Sequence, residues 1–318
     1  MKKRIPFSRI KAGKRNLYAY DLYGYLLYRS RDAGKTWQDL RFRLPKGIVV
    51  TLAIDPNNPE HLILEMARGN LYNSRFRRGE FYSTDDGGDS WRFLFRMKRA
   101  GDHTDLIAFD PMHPGTVLFS AKLQILKSTE GGLHPKQLLW QDSRGINGIV
   151  KQIFFDPRKP DTVFFVNHTL YQSNNGGKTV YFSGQGLPSL AEGSGGDSAA
   201  FIASTENGEY LVENDDAQVL RSTNGGTRWH LFSQMNSHAH NQICGPFYAM
   251  DRQRTRFIAV CKGRLFESNE AGRHWKRINS EIPGRRYNRY VTDISDPLLS
   301  RLYVTMYTGI WKAVEWKH

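Results

Sequence analysis

The sequence predicts an all-β fold: a seven-bladed β-propeller of four-stranded antiparallel blades, with six blades as the fallback. Three observations predict it. A short polar turn motif recurs six times, a proline-stiffened turn recurs between its copies, and alternating apolar segments of strand length fill the spaces. No ten-residue stretch carries a helical period.

The turn motif comes first. Aligned on its opening hydroxyl it reads SRDAGKTW from Ser30, TDDGGDSW from Thr84, STEGGLHP from Ser128, SNNGGKTV from Ser173, STNGGTRW from Ser222 and SNEAGRHW from Ser268. Successive openings stand 54, 44, 45, 49 and 46 residues apart, and a period near 45 residues is the size of one propeller blade.

The second marker falls between the first: IDPNNPEHLIL at 54–64, FDPMHPGTVLF at 109–119 and FDPRKPDTVFF at 155–165. Each reads as strand, rigid turn, strand. One repeat therefore runs strand a, the DP turn, strand b, a short turn, strand c, the polar motif and strand d. In the second repeat the four strands are expected at about 48–54, 62–67, 70–84 and 90–95. A c strand precedes each motif, and a seventh is expected at about 309–314, which gives the count of seven. Residues 4–10 either supply the first blade's a strand or pair with the last blade. The long first spacing is assigned to a basic hairpin inserted at about 73–80, within one propeller domain spanning 1–318.

The pattern S/T-x-D-x-G-x-T/S-W at Ser30–Trp37 and Thr84–Trp91 resembles the Asp-box, or BNR repeat, and through it the chain is similar to the Asp-box propellers. In a tight c–d turn the Asp carboxylate accepts backbone N–H groups, the Gly takes positive φ and the Trp caps the blade's apolar edge. The resemblance implies structural roles for Ser30, Asp32, Gly34, Trp37, Asp86, Gly88, Trp91, Asn175, Asn224, Trp229 and Trp275, and no catalytic role for Asp32 or Asp86. Asn175 and Asn224 keep an acceptor where Glu130 and Glu270 are longer, and Val180 and Pro135 replace Trp. Asp-box propellers include sialidases, xyloglucan-cleaving glycosidases, sortilin-type receptors and photosystem II assembly factors, so the likeness implies fold more than activity.

Charge narrows the partners. The 318 residues carry a formal net charge of +14, which favours an acidic protein surface or an anionic glycan. Nucleic acid is disfavoured, because no stacking module accompanies the charge. No apolar run approaches the ~18–20 residues of a membrane helix. Met1-Lys2-Lys3-Arg4 resembles the start of a signal peptide, but Ile5-Pro6-Phe7-Ser8-Arg9 replaces the apolar stretch. The chain reads as a mature exported one, periplasmic or extracellular, with a cytoplasmic chain as the alternative. It is expected to be a monomer or a subunit of a larger assembly.

In propellers the b–c and d–a loops share one face. On that face the expected binding residues are Arg285, Arg286, Tyr287 and Arg289, joined by Arg96 and Arg99, by Arg43 and Lys46, and by Arg75, Arg77 and Arg78 of the hairpin. Arginine forks grip carboxylates in pairs and tyrosine adds flat contact area. Blade five, with Glu206, Glu209, Glu213, Asp215 and Asp216, reads as acidic, which makes the charge lopsided. The reading is a non-catalytic interaction or assembly module that holds an acidic partner.

The alternative is a secreted glycoside hydrolase. Arg4-Ile5-Pro6 resembles the Arg-Ile-Pro motif of sialidases, with Arg286, Arg289 and Tyr287 as the remaining pieces; only Asp21 stands between Pro6 and Ser30 as an acid. A two-carboxylate mechanism would use Asp105 and Asp197. No cofactor or metal is expected, since His238, His240, Asp102 and His103 have no spacing that demands one. Asn167-His168-Thr169 is a glycosylation sequon that chance alone supplies. Cys244 and Cys261 flank a hairpin centred at 252–253, whose partners sum to 505, so they are placed opposite each other as a candidate disulfide, with buried free thiols as the alternative.

Overall fold

The computed structural model describes residues 9–13, 16–21, 25–68, 78–98, 106–121, 124–138, 150, 152–167, 169–188, 201–214, 217–235, 244–249, 253–261, 264–278, 291–295, 303–306 and 309–312. They fall into two compact units, Met1–Leu139 with Asp293–His318, and Trp140–Thr292.

The first unit holds three four-stranded sheets, each ordered as in the chain. Sheet 1 is β1 (Arg9–Ala12), β2 (Leu17–Asp21), β3 (Leu26–Ser30) and β4 (Gln38–Asp39). Sheet 2 is β5 (Ile48–Ile54), β6 (Leu62–Arg68), β7 (Arg78–Thr84) and β8 (Arg92–Lys98). Sheet 3 is β9 (Leu106–Phe109), β10 (Val117–Ala121), β11 (Gln124–Ser128) and β12 (Lys136–Gln137).

The second unit repeats the plan. Sheet 4 is β13 (Gln152–Phe155), β14 (Val163–Val166), β15 (Leu170–Ser173) and β16 (Tyr181–Phe182). Sheet 5 is β17 (Phe201–Ser204), β18 (Tyr210–Glu213), β19 (Gln218–Ser222) and β20 (His230–Gln234). Sheet 6 is β21 (Cys244–Ala249), β22 (Phe257–Cys261), β23 (Arg264–Ser268) and β24 (Lys276–Arg277).

A last sheet has three strands, β25 (Val291–Ser295), β26 (Tyr303–Met306) and β27 (Gly309–Lys312). Six four-stranded blades, not seven, are thus present among the described residues, which corrects the larger count to the fallback. The reason is local: each copy of the turn motif folds strand d back onto strand c, and no copy follows β27. The expected a strand at 4–10 is β1, which pairs with β2 and also lies against β26.

Period-two patterning explains the packing. Along β6, Leu62, Leu64 and Met66 join Tyr18, Tyr20, Leu27 and Leu40 of sheet 1, while Ile63 joins Phe109, Val117 and Phe119 of sheet 3. Along β18, Tyr210 and Val212 meet Phe164 and Val166 of sheet 4, while Leu211 meets Phe257 and Ala259 of sheet 6. Strands buried on both faces read as near-continuous apolar runs such as VFFV in β14. Each such side chain contributes about 1.5–3 kcal/mol on burial.

The turns at one end of each sheet are tied together. In the three DP turns, Asp55, Asp110 and Asp156 accept the N–H two residues on. The c–d turn then donates to the a–b turn of its own sheet: Gly87 N–H to Glu60 C=O, Gly131 to Gly115, Gly176 to Asp161 and Ala271 to Thr255. The a–b and c–d turns therefore share one end of the sheet, and the b–c and d–a connections leave from the other.

Candidate functional site

At the b–c and d–a end of sheets 1 and 2, within the first unit, lies a cleft of about 590 Å³. Leu26 and Leu27 of β3, Val49 of β5, and Met66 and Ala67 of β6 wall it, together with Leu44, Pro45 and Gly47 from the connection after β4. Tyr25, Arg41, Phe42, Lys46 and Arg68 complete its lining. Phe42 is 86% exposed and Tyr25 52%, an unusual state for aromatic rings beside an apolar concavity.

The connection is shaped locally. A 3-10 turn, Arg41–Arg43, stops at an extended Leu44 (φ −117°, ψ 153°), because Pro45 disfavours helical backbone in the residue before it. Gly47 then passes over β6: a Cβ there would stand 2.9 Å from Met66 Cε and 3.1 Å from the Ala67 carbonyl oxygen. Arg41 Nε donates to Asp39 Oδ2 at 2.8 Å, and its guanidinium carbon sits 5.5 Å from the Phe42 ring centroid and 5.8 Å from that of Tyr28. Burial would raise the Asp39 carboxyl, but the hydrogen bonds from Arg41 hold it below its ordinary value.

Beside the cleft a buried carboxylate collects two arginines. Glu80 Oε2 accepts from Arg68 Nη1 at 3.1 Å and from the Tyr82 hydroxyl at 2.8 Å, and Glu80 Oε1 accepts from Arg96 Nε at 3.0 Å. The Glu80 side chain is 3% exposed, those of Arg68 and Arg96 43% and 47%. Burial pushes the Glu80 carboxyl up, yet the bonds from Tyr82, Arg68 and Arg96 prevail and keep it below its usual value. Two guanidinium groups on one carboxylate leave a net positive charge with N–H donors open to solvent. One rung beyond Arg96 the register aligns Arg68, Arg78 and Lys98 across β6, β7 and β8. Sheet 2 therefore ends in a rank of cations.

Of the expected binding residues, Lys46 lines the cleft and Arg96 reaches it through Glu80, though Arg96 lies in β8 and not in a d–a loop. Arg78 opens β7, so the basic hairpin begins before the strand and residues 78–80 belong to the sheet. Arg43 does not join them: it donates to the Asp89 carbonyl and stands 3.5 Å from the Asp89 carboxylate, in the c–d turn of sheet 2. Arg4, Arg75, Arg77, Arg99, Arg285, Arg286, Tyr287 and Arg289 lie outside the described residues, as do Asp105, Asp197, Asp102, His103, His238 and His240. The acidic character of sheet 5 is smaller than its composition: Glu213 is fully buried and Glu209 pairs with Arg221. The sequon asparagine, Asn167, is 1% exposed and accepts the Thr169 N–H. Sequence reading missed Arg68, Glu80 and Phe42; an aromatic between two arginines ahead of Pro45 was the available signal.

The polar turn motifs occupy the opposite end and are built as closed turns. Asp32 accepts the Thr36 N–H at 2.8 Å, and Asp86 the Ser90 N–H at 2.9 Å. Asn175 and Asn224 accept the equivalent N–H through Oδ1. Where Glu replaces them, Glu130 and Glu270 instead meet the His four residues on. One bond survives in all six copies, from the glycine N–H to the opening hydroxyl: Gly34 to Ser30, Gly88 to Thr84, Gly132 to Ser128, Gly177 to Ser173, Gly226 to Ser222 and Gly272 to Ser268. The indoles of Trp37, Trp229 and Trp275 donate to the carbonyl three residues back.

Among the described residues no helix is long and apolar enough to cross a membrane. No family model and no curated protein matches the chain. Solved structures do. The chain is similar to the GH74 xyloglucanase from Xanthomonas campestris, with a TM-score of 0.71 and 16% identity over 96% of this chain and 51% of that one. It is similar to YCF48 from Cyanidioschyzon merolae (TM-score 0.68, 12% identity, 98% and 96% covered) and to YCF48 bound to D1 peptide (0.64, 12%, 100% and 94%). The chain thus spans about half the length of the xyloglucanase. At these identities the likeness shows the fold, a β-propeller of small antiparallel sheets.

Proposed function

We propose that this chain is a non-catalytic interaction module, an Asp-box-type propeller that grips an acidic protein partner through the cationic end of its sheets. The observation that carries the reading is the pair Arg68 and Arg96, held on the buried carboxylate of Glu80 next to an exposed apolar cleft. Mutual coverage supports it, because YCF48 matches this chain over nearly its whole length and one of its structures holds a peptide. On this reading Arg285, Arg286, Tyr287, Arg289, Arg99, Arg75 and Arg77 extend the same surface, and the chain works in an exported compartment.

The test uses poly-glutamate as probe. Its affinity should fall steeply with salt and drop about tenfold in an Arg68→Gln, Arg96→Gln double variant, as expected when close charge pairs are lost. Binding that ignores both salt and the two arginines overturns the reading. The glycoside hydrolase alternative draws on the likeness to the xyloglucanase. It is favoured if the chain releases sugar from xyloglucan or a sialoside and loses that activity in Asp105→Asn or Asp197→Asn.

A further inference from the structure

We infer that the cleft between sheets 1 and 2 is the anchor pocket for one aromatic or long aliphatic side chain of an extended acidic segment, with the flanking carboxylates lying along the cation rank of sheet 2. This inference rests on the interaction-module reading and names the chemistry of its partner.

The cleft has the size and lining of a ligand site, since about 300–1,000 Å³ of mostly apolar wall is typical of such sites. Its floor is Leu27, Val49 and Met66, all buried. Phe42, with Arg41 stacked on its face, stands at the cleft as an exposed aromatic, the residue type most often found at the centre of protein interfaces. Tyr25 is fixed beside it at φ 22°, in backbone space that non-glycine residues seldom occupy. Apolar surface of this kind is stable in solution only at a cost that a bound apolar group removes.

The charges define the rest of the occupant. Arg68 belongs both to the cleft lining and to the rank Arg68, Arg78 and Lys98. Neighbouring strands are about 4.8 Å apart, so the rank spans roughly 10 Å. A free fatty or aromatic acid offers one headgroup to such a row. An extended chain rising about 3.3 Å per residue brings carboxylates two or three residues apart over the same length. The row therefore fits an acidic peptide segment running away from an anchor seated in the cleft, and Glu80 holds the first arginine at the junction.

The probe is a peptide blocked at both ends, with one phenylalanine followed by a run of glutamates, measured by fluorescence anisotropy against the full chain. Comparison peptides replace the phenylalanine by alanine, or the glutamates by glutamine. On the wild-type chain the phenylalanine peptide should bind about tenfold more tightly than the alanine peptide, the scale of one buried anchor. That advantage should vanish in Phe42→Ala, an exposed position where the fold is retained, while Arg68→Gln should weaken both glutamate peptides together. Equal binding of the phenylalanine and alanine peptides, or an advantage that persists in Phe42→Ala, overturns the anchor pocket and leaves the interaction-module reading standing. A phenylalanine–glutamine peptide that binds as well as the glutamate one overturns the acidic occupant. No binding of either glutamate peptide at low salt overturns both readings.

Discussion

Arg29 in β3 forms a two-pronged ion pair with Asp89 in the c–d turn of sheet 2, Nη2 to Oδ1 at 2.8 Å and Nη1 to Oδ2 at 3.2 Å. The guanidinium is 1% exposed and also donates to the Gly87 carbonyl at 2.7 Å and to Gln38 Oε1 at 2.7 Å. A side chain of one sheet thus reads the turn of the next. Removing one partner of a buried pair leaves the other charge without compensation. Arg29→Ala should therefore cost about 3 kcal/mol in urea unfolding, and Arg29→Lys most of that, because an ammonium cannot supply the fork. Wild-type stability in both variants would show the clamp to be incidental.

The six turns share a hydroxyl bond, and the acidic residue for which such turns are known is replaced in four of them. Ser222 is fully buried, and its Oγ accepts the Gly226 N–H at 2.9 Å. Gly226 itself cannot be replaced without strain: its φ is +89° and a Cβ would lie 2.7 Å from the Phe164 ring. Ser222→Ala strands a buried donor and should cost about 1–3 kcal/mol. Asn224→Ala removes an acceptor from the exposed Arg228 N–H and should cost about 0.5 kcal/mol. Urea midpoints that rank these two in the opposite order would give the acidic position the larger role.

Acid stability follows from the two full motifs. Hydrogen bonds from the Thr36 hydroxyl, the Thr36 N–H and the Ser30 hydroxyl lower the Asp32 carboxyl to about 2. At Asp86 burial works upward, but the bonds from Ser90 and Thr84 outweigh it and take the carboxyl below its usual range. An unfolded Asp titrates near 3.9. Between the two values the unfolded chain binds more protons, so stability rises with pH there. Both contributions are complete above about pH 5 and disappear as pH falls through the folded values. Asp86→Asn, which reproduces the acceptor of Asn175 and Asn224, should keep the turn and flatten the fall in urea midpoint below pH 4. An unchanged acid slope would assign the titration to other groups.

The fold was legible because its signals are local. Strand β5 lies at Ile48–Ile54, as the alternation of that segment predicts, and every copy of the polar motif folds a d strand onto its c strand. The site was much less so. Arg68 meets Glu80 only because β6 and β7 pair Met66 opposite Glu80, and Arg96 arrives from a third strand. The cleft takes its walls from 25–27, 41–49 and 66–68, none of which is apolar enough alone to announce a pocket. Arg43 was misplaced for the same reason: its partner Asp89 is 46 residues away in a turn whose orientation no local pattern gives.

The cysteine pair shows how a register argument can reach the right residues by a path the backbone amends. Near the turn, Ala249 pairs with Phe257, Tyr248 with Ile258 and Phe247 with Ala259, a register one residue off that expected from a centre at 252–253. Continued unbroken, it would set Cys261 against Gly245. The register shifts between Cys244 and Phe247 and brings Cys244 opposite Cys261. Pro246 lies in the shifted stretch, where a residue without an N–H is tolerated. Directly opposed residues on antiparallel strands have Cα atoms about 4.5–5.5 Å apart, within the range a disulfide spans. Treatment with glutathione disulfide should therefore oxidise the two thiols to one bond, releasing two glutathione molecules. The unfolded product should then show no thiol to a colorimetric reagent, and two after reduction. The staple should raise stability by about 3 kcal/mol over the reduced chain, a difference that Cys244→Ser abolishes. Two reactive thiols in the unfolded, glutathione-treated protein would mean that the facing strands hold cysteines that never bond, and would remove the chemical argument for an oxidising compartment.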